Sequence, residues 1–247
     1  MKKLKLLDTF SGIGGFSYAA EKLVGGFETT QFVENDPYCQ KVLNKHWPNV
    51  PIHDDIETYR AELYSADVIC GGFPCQSISQ AGEREGITQE SRSGKFYDLM
   101  RVIRMVRPRY VILENVAAIL ANGLDIVLGE LSEAGYDAEW SIISASSLGA
   151  AHRRNRWWLI AYPCRNGLQR EVRAKVSGET WHQKNCRRLN KDWRRYETQP
   201  TIHRTVDGIS NRVDRLKALG NAVVPQVAAI PLQRVKTLHE SLTTVDD

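Results

Sequence analysis

Long apolar runs are missing from these 247 residues, and none approaches the roughly 20 that a membrane-crossing helix needs. The opening MKKLKLL has an apolar run that Lys5 and Asp8 cut short, so no secretory leader is expected. The resulting expectation is a cytoplasmic protein with no membrane partner. Cysteine is scarce too: Cys39, Cys70, Cys75, Cys164 and Cys186 are the five. Their number is odd and none form a C-x-x-C pair, which argues against a disulfide framework and a zinc site. No metal is expected. In a reducing compartment these are free thiols, and one of them can be a nucleophile. Internal repeats and low-complexity tracts are absent as well, which leaves an ordinary folded domain.

What is present fits that class. Apolar content of 42% and charged content of 25% are usual for a globular chain. The length suits one large domain, or one domain with a small appendage, and supports a core without staples. The net charge of +4 is unevenly spread. Between Tyr162 and Val206 there are 11 Lys and Arg against 4 Asp and Glu, a local +7, while the rest carries −3. A basic segment on a mildly acidic body suits a polyanion-binding surface. On charge alone, a solvated loop explains it equally well.

Short apolar runs alternate with helical patterns over the first two thirds. Strands are predicted at Lys5–Phe10, Thr29–Glu34, Asp67–Cys70, Tyr110–Glu114, Ala138–Ser144 and Trp157–Tyr162. Helices are predicted around Phe16–Leu23, Pro37–Trp47, Lys95–Val106 and Asp125–Ala134. In the third, Leu99, Val102, Ile103 and Val106 recur at helical spacing. This alternation predicts an α/β fold with a mostly parallel sheet flanked by helices on both faces. Ligands of such sheets lie outside the carboxyl ends of the strands. Beyond Pro163 the periodicity fades into a small irregular region, and helical spacing returns over Gln226–Leu242.

The chemically suggestive segments fall at the predicted strand ends. Asp8–Gly15 reads DTFSGIGG at a strand-to-helix junction, where glycines let the backbone approach a ligand. Many α/β proteins carry such a turn for geometry alone. Glu34 ends the next strand, about 20 residues on, and an acid there suits ribose hydroxyls. The pairing favours a nucleoside cofactor without separating a nicotinamide dinucleotide from S-adenosylmethionine. GGFPCQ, residues 71–76, places Cys75 after a strand, between turn residues and Gln76. A cysteine is more often a small buried apolar side chain, but this setting favours a nucleophile. Glu114 and Asn115 end the strand YVIL, and a half-buried Glu114 with a raised pKa can act as an acid, unless it is a plain surface carboxylate or helix cap. Arg153, Arg154 and Arg156 precede WWLIAY; Arg154 and Arg156 share one face of an extended chain and can reach a base edge or phosphate together.

Taken in order, DTFSGIGGF (8–16), FVENDP (32–37), DDIE (54–57), GGFPCQSIS (71–79), ENV (114–116), AHRRNR (151–156) and RLKALGNAVVPQ (215–226) resemble the C5-cytosine-specific DNA methyltransferase family. The likeness covers about residues 4–162 and 205–240, and the compact length is similar to that of short phage and prophage forms. It implies a Rossmann-like S-adenosylmethionine-dependent methyltransferase fold. Residues 1–162 would form the catalytic and cofactor-binding domain, 163–206 a short target-recognition region, and 207–247 a segment returning to the first. The implied reaction is methyl transfer to C5 of a flipped cytosine in double-stranded DNA, with Cys75 adding to C6, Glu114 bonding N3 and the exocyclic amine, Arg154 near O2 and Arg156 supporting it. Cofactor contacts would come from Asp8, Phe10, Gly12, Gly14, Gly15, Glu34, Asn35, Asp55, Ile56, Pro74, Asn221 and Val223. Gln76, Ser79, Asn115, Arg165, Arg187, Arg188 and Arg194 would touch DNA. A monomer is expected, and a partner restriction endonuclease stays open.

The chain also departs from the family pattern. Thr9 stands where a leucine is common, Asn35 where an aromatic often stacks on the cofactor, and Ala151-His152 where Pro-Gln is usual. Three other readings compete. A tRNA cytosine methyltransferase of this fold would carry a Cys-Phe-Thr segment, which the sequence lacks. An inactive DNA-binding relative would not need Cys75, Glu114 and Arg154 together. A nicotinamide-dependent oxidoreductase leaves PCQ and R-x-R unexplained.

Overall fold

A computed structural model describes residues 2–74, 94–164 and 212–243. Seven strands form one sheet in the order β3-β2-β1-β4-β5-β7-β6. They are β1 (Leu4–Thr9), β2 (Phe27–Val33), β3 (Ile52–His53), β4 (Val68–Gly71), β5 (Tyr110–Val116), β6 (Tyr136–Ser144) and β7 (Asn155–Pro163). The first five pair in parallel, whereas β7 runs antiparallel to both β5 and β6. The sheet is therefore mostly parallel, with β7 the single reversed strand.

Side chains alternate between two apolar layers, as the two-residue period of a strand requires. Leu7, Ile69, Val111, Leu113, Trp157 and Leu159 face one layer, where α3 (Lys95–Val106) and α4 (Leu124–Glu133) pack. The helical-period residues Leu99, Val102, Ile103 and Val106 are all fully buried there. Leu6, Val68, Cys70, Ile112, Trp158 and Ile160 face the other layer. That side is covered by α1 (Gly15–Tyr18), its π-helical continuation Ala19–Val24, and the long C-terminal helix α6 (Pro225–Thr243). Burial on both faces explains why these strands read as near-continuous apolar runs.

Two helices reach the sheet from its carboxyl edge. The first, α2 (Pro37–His46), is set by its own sequence: Pro37 takes the first turn and the Asp36 carboxylate accepts from the Tyr38 and Cys39 amides. The second, α5 (Arg212–Asn221), packs near α2 and is absent from the sequence expectation, as is the two-residue β3. The predicted helix Phe16–Leu23 divides into the α-helical and π-helical pieces given above. The catalytic expectation Cys75, with Gln76 and Ser79, lies outside the described residues. So do Arg165, Arg187, Arg188 and Arg194, with all of 163–206 beyond Cys164. No helix among the described residues is long and apolar enough to cross a membrane.

Candidate active site

The carboxyl ends of β1, β2, β4 and β5 open onto a cleft of about 380 Å³, within the range of about 300–1,000 Å³ usual for small-molecule sites. Phe10, Gly12, Glu34, Asn35, Pro74, Glu114, Asn115, Arg154, Arg156, Asn221 and Val223 line it. Most of the expected residues that fall within the described part of the chain are thus brought together, although they come from positions 10 to 223.

One end is built by the loop after β1. Phe10 and Gly12 both take positive φ, 51° and 54°, which turns the chain sharply at the strand end. A Cβ on Gly12 would meet nothing within 4 Å, so this backbone faces open space. Its amide donates to Glu34 Oε2 at 2.6 Å, while the Asp36 amide donates to Oε1 at 2.8 Å. Both oxygens of Glu34 are anchored, and each keeps a lone pair for a hydroxyl partner. Burial pushes the Glu34 carboxyl up, partly opposed by these amide donors.

The other end is built by β4, β5 and β7. Glu114 projects from β5, with its side chain 12% exposed, and Arg156 Nε lies 2.9 Å from its Oε1. Register explains the pairing: Val116 stands opposite Arg156 in the antiparallel ladder. Desolvation raises the Glu114 pKa, and the charges of Arg156 and Arg154 pull it back. Gly72 is close by, since a Cβ there would stand 3.1 Å from Glu114 Oε2. Asn115 is buried; its Nδ2 donates to Phe73 O at 3.3 Å and its Oδ1 accepts from the Val116 amide at 2.8 Å. It therefore ties β5 to the loop that leads through Pro74 to Cys75.

Arg154 points elsewhere. Its guanidinium donates to Gly220 O at 2.9 Å and Ala222 O at 2.8 Å, in the turn between α5 and α6. Arg156, and not Arg154, is the arginine bonded to Glu114.

Several expected cofactor residues stand apart from the cleft. Asp8 is fully buried; its Oδ2 accepts from the Ser17 hydroxyl at 2.6 Å and amide at 3.3 Å, pinning the start of α1. Burial pushes its carboxyl up to about 7. Gly14 and Gly15 line a separate, larger hollow of about 1140 Å³. A Cβ on Gly14 would strike the Trp47 ring at 2.6 Å, so this glycine serves packing. Ile56 is buried in the core, and Asp55 accepts from the Glu57 amide and lies 3.7 Å from Lys95 Nζ. Conversely, Lys217, which carries no sequence expectation, lines the cleft and pairs with Asp36 Oδ2 at 2.9 Å. Its presence in the segment RLKALGNAVVPQ, four residues before Asn221, was the available signal.

Comparison with known proteins agrees with this geometry. The family described as C-5 cytosine-specific DNA methylase matches residues 4–206. The chain is 38% identical over 166 residues to Type II methyltransferase M2.BsuMI of Bacillus subtilis, covering 64% of this chain and 42% of the relative. It is 31% identical over 169 residues to M.HhaI of Haemophilus parahaemolyticus, covering 67% and 50%. Among solved structures, the S. pombe Dnmt2 methyltransferase matches with a TM-score of 0.55 and 21% identity, over 72% of this chain and 56% of that one. A methyltransferase encoded within an E. coli prophage matches with a TM-score of 0.52 and 25% identity, over 65% and 47%. The chain spans half or less of the length of these two curated relatives. By the extent of the family match, the chain belongs to the C-5 cytosine-specific DNA methylases.

Proposed function

We propose that this chain transfers a methyl group from S-adenosylmethionine to C5 of cytosine in double-stranded DNA, with Cys75 as the nucleophile. The observation that carries the reading is one cleft holding both a ribose-type anchor, Glu34, and a buried acid, Glu114, with Pro74 on its wall. Cys75 is the next residue in the chain.

The residues present fit the cofactor. The open approach at Gly12 and the free lone pairs of Glu34 suit a nucleoside with two hydroxyls. Phe10 offers an apolar ring beside them, and Asn221 and Val223 face them from the C-terminal turn. When bound, S-adenosylmethionine supplies an electrophilic methyl group on its sulfonium.

Cytosine C5 is a weak nucleophile until C6 carries an electron-rich substituent. A thiol at an ordinary pKa of about 8.5 ionises readily enough to add there. The addition places negative charge on the ring at N3, and a carboxyl raised by burial is suited to donate a proton to it. Arg156 holds that carboxyl in place through its Oε1, which leaves Oε2 for the base. Loss of the C5 proton after methylation restores the double bond and expels Cys75. The target atoms lie within the duplex, so the base must first leave the stack. In this reading a monomer suffices, since every named group belongs to one chain.

The experiment is tritium transfer from labelled S-adenosylmethionine to duplex DNA, with tRNA and no nucleic acid as controls. Label in DNA alone is expected; label in tRNA alone would reassign the substrate. The same proposal makes 163–206 the DNA-reading region, with Arg165, Arg187, Arg188 and Arg194 among its contacts, on the strength of its local +7. Affinity for DNA should then fall with salt at a log–log slope of about −0.9 per phosphate neutralised. A salt-independent affinity would remove the region from that role.

A further inference from the structure

We infer that Arg154 is a positioning residue for the cofactor half of the site: its guanidinium clasps the Gly220–Ala222 turn and so sets the cleft wall formed by Asn221 and Val223. The inference rests on the cofactor reading above.

The helix α5 ends at Asn221, and the last carbonyls of a helix have no partner within it. Arg154 supplies one. Its Nη1 donates to Gly220 O and its Nη2 to Ala222 O, so a single planar fork bridges carbonyls two residues apart. A guanidinium suits this geometry, and its charge suits a helix C-terminus. Reaching the turn involves the backbone as well: Arg154 takes φ +37°, a conformation that residues other than glycine rarely adopt.

The opposite side of the turn is gripped independently. A Cβ on Gly15 would stand 2.8 Å from Val223 O, too close for any residue but glycine to admit the turn against α1. Farther back, Lys217 ties α5 to Asp36, whose own amide donates to Glu34. The wall carrying Asn221 and Val223 is thus wedged between Gly15 and Arg154. Arg156, two residues along, bonds to Glu114 instead. The two arginines divide the cleft: Arg156 sets the acid, and Arg154 sets the cofactor wall.

The test uses the full chain without nucleic acid. S-adenosylhomocysteine binding is followed by calorimetry, and amide exchange is followed over residues 219–224. Arg154→Ala is expected to weaken binding about tenfold or more, since two charge-assisted bonds are lost. It should also speed exchange in the turn, with Arg154→Lys recovering part of both. Arg156→Ala should leave both near the unaltered values. In steady-state assays, Arg154→Ala should raise the cofactor KM by a larger factor than it lowers kcat, and Arg156→Ala the reverse. Arg154→Ala with unaltered affinity and unaltered exchange would overturn the inference. Should the unaltered protein bind no S-adenosylhomocysteine, the cofactor reading fails, and the exchange data still decide whether Arg154 holds the turn. Thermal unfolding of each variant separates a local change from loss of the fold.

Discussion

Asp8 shows how a single buried carboxyl can serve a loop it never leaves. It is fully buried beneath the glycine-rich turn, with Ser17 donating to it and Cys70 beside it. Burial pushes it up to about 7 from an ordinary 3.8. A carboxyl raised in the folded state contributes its full stability below the unfolded pKa and loses it as pH rises through the folded one. Between about pH 4 and 7 the protein should therefore lose stability from this site, at no more than about 1.4 kcal/mol per pH unit. Asp8→Asn should flatten that part of the curve, as read by urea unfolding at pH 5 and pH 7.5. Equal pH dependence in the two proteins would contradict the assignment. From sequence alone Asp8 reads as a ligand contact, because a motif reports that a residue is near a site and not which way it faces. Thr9 was likewise legible only as a departure from the family. Its hydroxyl donates to Cys70 O at 2.8 Å, and a Cβ on Gly71 would stand 2.4 Å from the Thr9 Oγ1. A polar residue at this spot bonds the neighbouring strand instead of filling space.

Elements differ in how openly their sequences announce them. The helix α3 was readable to the residue because it presents one apolar face to a sheet, and its burial follows its periodicity. By contrast, α5 was not. Leu219 is 52% exposed and Ala218 is buried, so no wide apolar stripe marks it. Asp36, which takes up Lys217, and Arg154 hold it from outside, through contacts 181 and 66 to 68 residues apart in sequence. The C-terminal helix α6 is intermediate. Its apolar spacing is plain, yet it carries Pro231 inside and is held to β6 by a partly buried, two-pronged pair. Arg234 Nε reaches Glu139 Oε1 at 2.8 Å and Nη2 reaches Oε2 at 3.2 Å. Removing one partner of such a pair leaves the other partly desolvated, at a cost of about 1–3 kcal/mol. Arg234→Ala should lower the unfolding free energy by that amount in urea titration, and adding Glu139→Gln should restore part of it. A loss within experimental error would show that the pair holds nothing together.

At the scale of the whole molecule, alternation of strands and helices was enough to foresee a mostly parallel sheet, and a cleft does open at its carboxyl edge. The reversal of β7 was not foreseeable, because strand direction is decided by pairing with β5 and β6 and not by local pattern. That reversal matters to the site: it brings Arg156 opposite Val116, at the end of β5 where Glu114 projects. Order across the sheet then joins the acid, the Glu34 anchor and the C-terminal turn around one cleft. Beside this acid, Cys75 is proposed to attack C6 of cytosine in DNA. Trapping on duplex DNA carrying 5-fluorocytosine tests it most directly, because fluorine at C5 cannot leave as a proton does and the adduct persists. With S-adenosylmethionine present, the account predicts a denaturation-resistant protein–DNA complex whose cross-linked peptide contains Cys75, and none from Cys75→Ser. A complex mapped to another residue, or equal trapping by Cys75→Ser, would contradict it.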